Sequence, residues 1–189
     1  ADSAWRTHIE KLNSLADFTP HVPSTLQAQL RDYQTEGYQW LARLAQWGVG
    51  ACLADDMGLG KTLQTIAVLL HLKKNSPVQG AAGMGGGAVQ GSLFQAYNDE
   101  LRPLQALIIL PASLVFNWQR ELEQFAPSLF VYAHAGPKRM KDIRAISGHD
   151  VILTTYHTAR QDLKLLEKLE WGAIVLDESQ QIKNRQSEV

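Results

Sequence analysis

The sequence predicts a three-layer α/β domain with a mainly parallel central sheet, preceded by N-terminal helices and incomplete at its C-terminus. Three observations carry this. Apolar runs of strand length, among them QALIILP at 105–111 and DVILTTY at 150–156, alternate with amphipathic stretches, as in sheets covered on both faces by crossover helices. A short apolar run at 51–54 breaks into a glycine-rich turn ending in Lys61 and Thr62. A later apolar strand ends in Asp177 and Glu178, and ligands of open parallel sheets bind outside the carboxyl ends of the strands.

The elements follow in order. Trp5, Ile9, Leu12, Leu15 and Phe18 recur at helical spacing before Pro20 and Pro23, which predicts an N-terminal helical extension over 1–25. The rest of the chain, 26–189, is read as one α/β domain. A helix is expected from Leu26 to Trp47, with Tyr33, Trp40, Leu41, Leu44 and Trp47 as its apolar stripe despite Gly37. Residues 51–54 are expected to form a buried strand that includes Cys52, and 63–74 the helix after the glycine turn. The glycine-rich stretch 75–91 reads as a flexible insertion, and 92–100 as a short helix. Helices at 113–125, 138–146 and 159–169 then alternate with strands around 129–134, 150–156 and 173–178. Leu114, Val115, Trp118, Leu122 and Phe125 mark the inward face of the first of these helices.

Composition narrows the classes. The 189 residues are 45% hydrophobic and 20% charged, enough for one substantial core. A net charge of -1 confines nucleic-acid contact to local patches. A single cysteine, Cys52, excludes an internal disulfide and a multi-cysteine zinc site. No metal-ligating role is read for the histidines. No apolar run reaches the roughly 20 residues that span a bilayer, and a cytoplasmic, nucleoid-associated or nuclear location is expected. The start at Ala1 and the stop at Val189 lead us to expect a piece of a longer chain.

The chemistry lies in two motifs. In ACLADDMGLGKT, Gly58 and Gly60 let consecutive backbone N–H groups face a polyphosphate. Lys61 would lie between the terminal phosphates, and the Thr62 hydroxyl would be a magnesium ligand. Asp55 stands where the general pattern has glycine, so a solvated strand-to-helix turn is the bland alternative. Asp177 would hold the ion or its water, and Glu178 would deprotonate the attacking water. Helix capping by the two acids is the alternative there.

With these motifs in hand, the chain resembles the first lobe of the SWI/SNF-type ATPases, helicase-like DNA translocases of superfamily two. The resemblance rests on LRDYQTEGYQWL at 30–41, ADDMGLGKTLQTIA at 54–67, LIILPASLVFNWQRELEQFAP at 107–127, DVILTTYHTAR at 150–160 and VLDESQQIKN at 175–184. It implies a RecA-like P-loop NTPase lobe that uses ATP and Mg2+. An acidic residue at Asp55 is ordinary in that family, and Asp55 and Asp56 are expected to brace the loop. Asp56, Met57, Gly58, Leu59, Gly60, Lys61 and Thr62 would wrap the nucleotide. Gln34 would read the adenine edge, and Ser113, Thr154 and Thr155 would touch the DNA backbone. For Ser113, helix capping stays open, and the basic run Lys138, Arg139, Lys141 and Arg144 reads more readily as a solvated helix face than as a DNA site.

Ser179 and Gln180 depart from the DEAH or DEGH form, which leaves their coupling role open. Implied partners are double-stranded DNA, a second RecA-like lobe carrying arginine fingers, and a protein–DNA complex or RNA polymerase as substrate. A nucleotide-gated interaction module without turnover is the alternative function. In RecA-like sheets the strand after the Asp-Glu strand lies between it and the phosphate-loop strand, so a gap in the sheet is expected for a chain ending at Val189.

Overall fold

The computed structural model describes residues 18–54, 58–75 and 103–181. Residues 1–17 of the expected N-terminal helical extension, the expected helix at 92–100 and the insertion after Asn75 lie outside them, as do Asp55, Asp56 and Met57, and residues 18–25 of that extension are not helical. The chain divides into two compact units, Ala1–Leu72 and Lys73–Val189.

In the first unit, helix α1 spans Asp32–Trp47 and helix α2 begins at Lys61, running to Asn75. The backbone before Asp32 is turns and bends, so the expected start at Leu26 is corrected by six residues. Gly48 ends α1 at φ 72°, donating back to Ala45 and Leu44, a left-handed stop that glycine takes without a Cβ penalty. The expected apolar stripe is also corrected. The inward face of α1 is Gln34, Tyr38 and Ala42, four residues apart, whereas Tyr33 and Trp40 are exposed.

Tyr38 is fully buried and its hydroxyl donates to the His21 carbonyl at 2.7 Å. The hydroxyl has one proton, so at 3.1 Å it accepts from His71 Nδ1, which fixes that ring as the Nδ1–H tautomer. Burial pushes the Tyr38 phenol up to about 12. Gly37 answers Gln64 of α2, since a Cβ there would sit 2.0 Å from the fully buried Gln64 Oε1.

Residues 51–54 form no strand, and Cys52 is exposed. Both depart from the expected buried strand. Four apolar residues adopt extended pairing only where a neighbour accepts their backbone groups, and the described sheet does not include them.

The second unit holds that sheet. Its strands are β1 (Ala106–Leu110), β2 (Val131–His134), β3 (Val151–Thr155) and β4 (Ala173–Leu176), in the order β2-β3-β1-β4. All three pairings are parallel, as the apolar runs predict. A single 3-10 turn at Ala112–Leu114 leads into helix α3, Val115–Phe125, whose Trp118 and Leu122 are buried. Helix α4 covers only Ile143–Ser147, capped by the Asp142 carboxylate on the Arg144 N–H. The cap starts the helix there, so residues 138–142 are not helical as expected. The expected helix at 159–169 is instead two short pieces, α5 (Tyr156–Gln161) and α6 (Leu163–Leu166), broken at Asp162.

Asp150, 1% exposed, gathers the entrances of three strands. One carboxylate oxygen accepts from Leu104 N–H at 2.8 Å and Lys73 Nζ at 2.6 Å, and the other from Phe130 N–H at 3.0 Å. Strand β4 pairs with β1 alone among the described residues, and Ile174 and Leu176 are exposed. Ile174 and Leu176 lie two residues apart and so share one sheet face, which leaves that face of β4 exposed where burial on both faces was expected.

Asp150→Asn puts an amide donor against a backbone or ammonium donor, and should lower unfolding stability by about 3 kcal/mol in urea titration. Gly37→Ala, which forces a methyl onto the fully buried Gln64 amide, should lower it by about 2 kcal/mol in the same measurement.

Candidate nucleotide and nucleic-acid sites

The first unit holds the candidate phosphate loop. Gly58 and Gly60 hold φ of 86° and 73°, left-handed values that glycine takes without a Cβ penalty. A Cβ on Gly58 would meet nothing within 4 Å, so the loop is open on that side. A Cβ on Gly60 would sit 2.3 Å from Gln34 Nε2. Gln34 is buried, and its amide is already engaged: Nε2 donates to the Leu59 carbonyl at 3.2 Å and Oε1 accepts the Arg31 N–H at 3.0 Å. Lys61 and Thr62 open the 15-residue helix α2, whose N-terminus favours anions. Beside the loop lies a groove of about 610 Å³ lined by Tyr33, Glu36, Gly37, Trp40, Leu53 and Leu59. The sequence reading assigned Tyr33 and Trp40 to packing; their phase, one residue off the Gln34-Tyr38-Ala42 face, is the signal that separates them.

The second unit supplies the acidic pair. The Asp177 N–H donates to the Ile109 carbonyl at 2.9 Å, one step beyond β4. Its carboxylate takes the Trp118 Nε1–H at 2.8 Å and the Glu178 N–H at 3.0 Å, and its carbonyl takes the Tyr156 hydroxyl at 2.8 Å. Glu178 sits at φ 51°, a conformation L-residues rarely adopt. Gln180 Nε2 donates to the Glu178 carboxylate, so the departing DESQ sequence places an amide on that carboxylate. The Glu121 carboxyl, on α3, is raised by burial and then by the Asp177 charge. Tyr156 is raised by burial, then by Asp177 and Glu178.

A second groove, about 690 Å³, lies at the carboxyl ends of β1 to β3, with Val115, Phe116, Gln119, Arg139, Thr155 and His157 among its lining. Ser113 is exposed in the 3-10 turn, and no side-chain cap bond is made there or at the start of α3. Thr155 N-caps α5 by accepting the Thr158 N–H at 3.1 Å. Thr154 is a correction. It is fully buried and its hydroxyl donates to the His134 carbonyl at 2.9 Å, because β3 lies between β2 and β1 and is buried on both faces at this position. Arg139 is another, since it is no solvated helix residue. Its guanidinium pairs with the Asp162 carboxylate and donates to the Gly136 carbonyl at 2.8 Å and Gln161 Oε1 at 3.1 Å. His134 Nε2 lies 2.9 Å from the same carboxylate. The Arg139 hydrogen bonds, supported by His134, outweigh burial and hold Asp162 at about 2.

A family model, the SNF2-related domain, matches residues 33–189. The chain belongs to the SNF2-related family. Among curated relatives of this SNF2-related domain, the putative ATP-dependent helicase/translocase YwqA of Bacillus subtilis is 40% identical over 183 residues, covering 95% of this chain and 17% of the relative. The TATA-binding protein-associated factor MOT1 of Saccharomyces cerevisiae is 39% identical over 173 residues, covering 89% of this chain and 8% of the relative. The Sulfolobus solfataricus SWI2/SNF2 ATPase core in complex with dsDNA superposes with a TM-score of 0.69 at 38% identity, over 90% of this chain and 30% of that one. The SNF2-related domain therefore has the α/β, RecA-like fold of that core, and this chain spans a minor part of each relative's length.

The Asp162 cluster sets an acid limit. Its folded value lies below the ordinary 3.8, so its stabilisation is complete above about pH 4 and is lost as pH falls toward about 2. Urea midpoints measured from pH 5 to 2 should fall more steeply for the natural chain than for Asp162→Asn.

Proposed function

We propose that this chain is the ATP-binding lobe of an SNF2-type DNA-dependent ATPase that translocates on double-stranded DNA and remodels protein–DNA complexes. The observation that carries the reading is the acidic pair, with Asp177 anchored through both carboxylate and carbonyl and Glu178 turned out of the strand at φ 51°. The printed functions of the relatives, a helicase/translocase and a TATA-binding protein-associated factor, support it. So does the likeness to an ATPase core in complex with dsDNA.

The residues fit a nucleotide. The N–H groups of Gly58, Leu59 and Gly60, with Asp56 and Met57 completing the loop, would cradle the phosphates, and Lys61 would neutralise them. Tyr33 and Trp40 offer aromatic faces at the groove rim for the base. Gln34 would recognise the adenine edge; its bond to Leu59 ties base recognition to the phosphate loop. Thr62 and Asp177 would hold Mg2+, which when bound withdraws charge from the phosphate oxygens. Glu178 takes the proton of the attacking water, and Gln180 orients its carboxylate. Ser113 and Thr155, at the second groove, would contact the DNA backbone. The family resemblance puts arginine fingers on a second RecA-like lobe, so the 189 residues alone should bind ATP with little turnover. Among the described residues no helix is long and apolar enough to cross a membrane. Acting on DNA would place the protein in the nucleoid or nucleus. The substrate class is a protein–DNA complex, of which RNA polymerase on DNA is one case.

In the full-length protein, Lys61→Ala should abolish ATP binding. Glu178→Gln should keep ATP binding but cut DNA-stimulated hydrolysis by about 100-fold or more in a phosphate-release assay. A Glu178→Gln protein with undiminished turnover would sink the catalytic assignment, and one that keeps its cellular role without turnover would make the chain a nucleotide-gated interaction module.

A further inference from the structure

We propose that Trp118 is a positioning residue that couples occupancy of the second groove by double-stranded DNA to the Asp177-Glu178 pair. The inference rests on the ATPase reading above. Both walls of the groove end on Asp177. One wall is α3, whose Val115, Phe116 and Gln119 line the groove. The same helix buries Trp118 to 4% exposure and aims its Nε1–H at the Asp177 carboxylate, 2.8 Å away. The other wall is the start of α5, where Thr155, His157 and Thr158 line the groove. Between Thr155 and His157, Tyr156 sends its hydroxyl 2.8 Å to the Asp177 carbonyl.

A residue held at its carboxylate from one wall and at its carbonyl from the other follows any change in the separation of the walls. The ring of Trp118 is rigid and buried, so a displacement of α3 is passed on rather than absorbed by a rotamer change. Glu121, one turn along α3, lies close enough for the Asp177 charge to raise its carboxyl. The indole is therefore the donor that α3 contributes where it also brings negative charge. Glu178 N–H is bonded to the same Asp177 carboxylate, so reorienting Asp177 also moves the residue assigned to the water.

The test uses the full-length protein and a double-stranded DNA oligonucleotide. Hydrogen exchange over residues 173–181 is measured with and without DNA, alongside DNA affinity, melting temperature and the Mg2+ dependence of ATP turnover. In the natural protein DNA should slow exchange in this segment. Trp118→Phe should lose that slowing while keeping DNA affinity within about twofold, and its half-saturating Mg2+ should rise by about tenfold, the effect of one lost charge-assisted hydrogen bond. Tyr156→Phe, which keeps the ring and removes the hydroxyl, should lose part of the slowing and carries the test alone if Trp118→Phe does not fold. Full DNA-induced slowing in a folded Trp118→Phe, or in Tyr156→Phe when it stands alone, overturns the coupling while leaving the ATPase reading intact. A natural protein without DNA-stimulated turnover instead overturns the ATPase reading, and the coupling with it.

Discussion

One buried carboxylate organises the second unit. Asp150 receives two backbone N–H groups and an ammonium with almost no access to water. Its backbone carbonyl takes the Ala106 N–H that opens β1. Burying a charge is costly unless it is paired and fully hydrogen-bonded, and here the donors come from the lead-in residues of β1 and β2 and from Lys73. The N-terminal ends of these strands are thereby brought into register. Because the pairings are parallel and start together, register at one end sets it at the other: Ala106 aligns with Val151 and with Ala173. The carboxyl ends, where Thr155 and Asp177 lie, inherit their positions from a charge at the opposite end of the sheet.

The same economy governs the site. Asp177 is oriented by Trp118 and Tyr156 from within the protein. Donors placed in advance around a carboxylate reduce the reorganisation required when charge arrives. Gln34 does the equivalent in the first unit, spanning from its own helix start to the phosphate loop and closing over Gly60, where no side chain has room.

Much of this was legible in the sequence, for identifiable reasons. ALIIL and the VIL that opens β3 are continuous apolar runs because both sheet faces are covered, and the strands formed where expected. The Asp-Glu pair and the Gly-x-Gly-Lys-Thr turn stood out as candidates because they occur together, in order, at strand ends of an α/β pattern. What the sequence did not reveal depended on partners distant in the chain. Thr154 looks like a surface hydroxyl until the His134 carbonyl is found beneath it. Arg139 looks like one cation in a basic run until Asp162, placed by a helix break, claims it. Residues 51–54 look like a strand, but strand formation is decided by a neighbour and not by apolarity. Trp40 and Tyr33 were misplaced by one helical step, because aromatic rings serve a core and a binding groove equally well.

Glu178 is asked for two things that no single amino acid supplies well. Its left-handed backbone is the one glycine adopts at least expense, whereas the chemistry assigned to it needs a carboxylate. A glycine there would relax the turn and leave the site chemically mute. The position is thus a local case of the trade between robustness and activity.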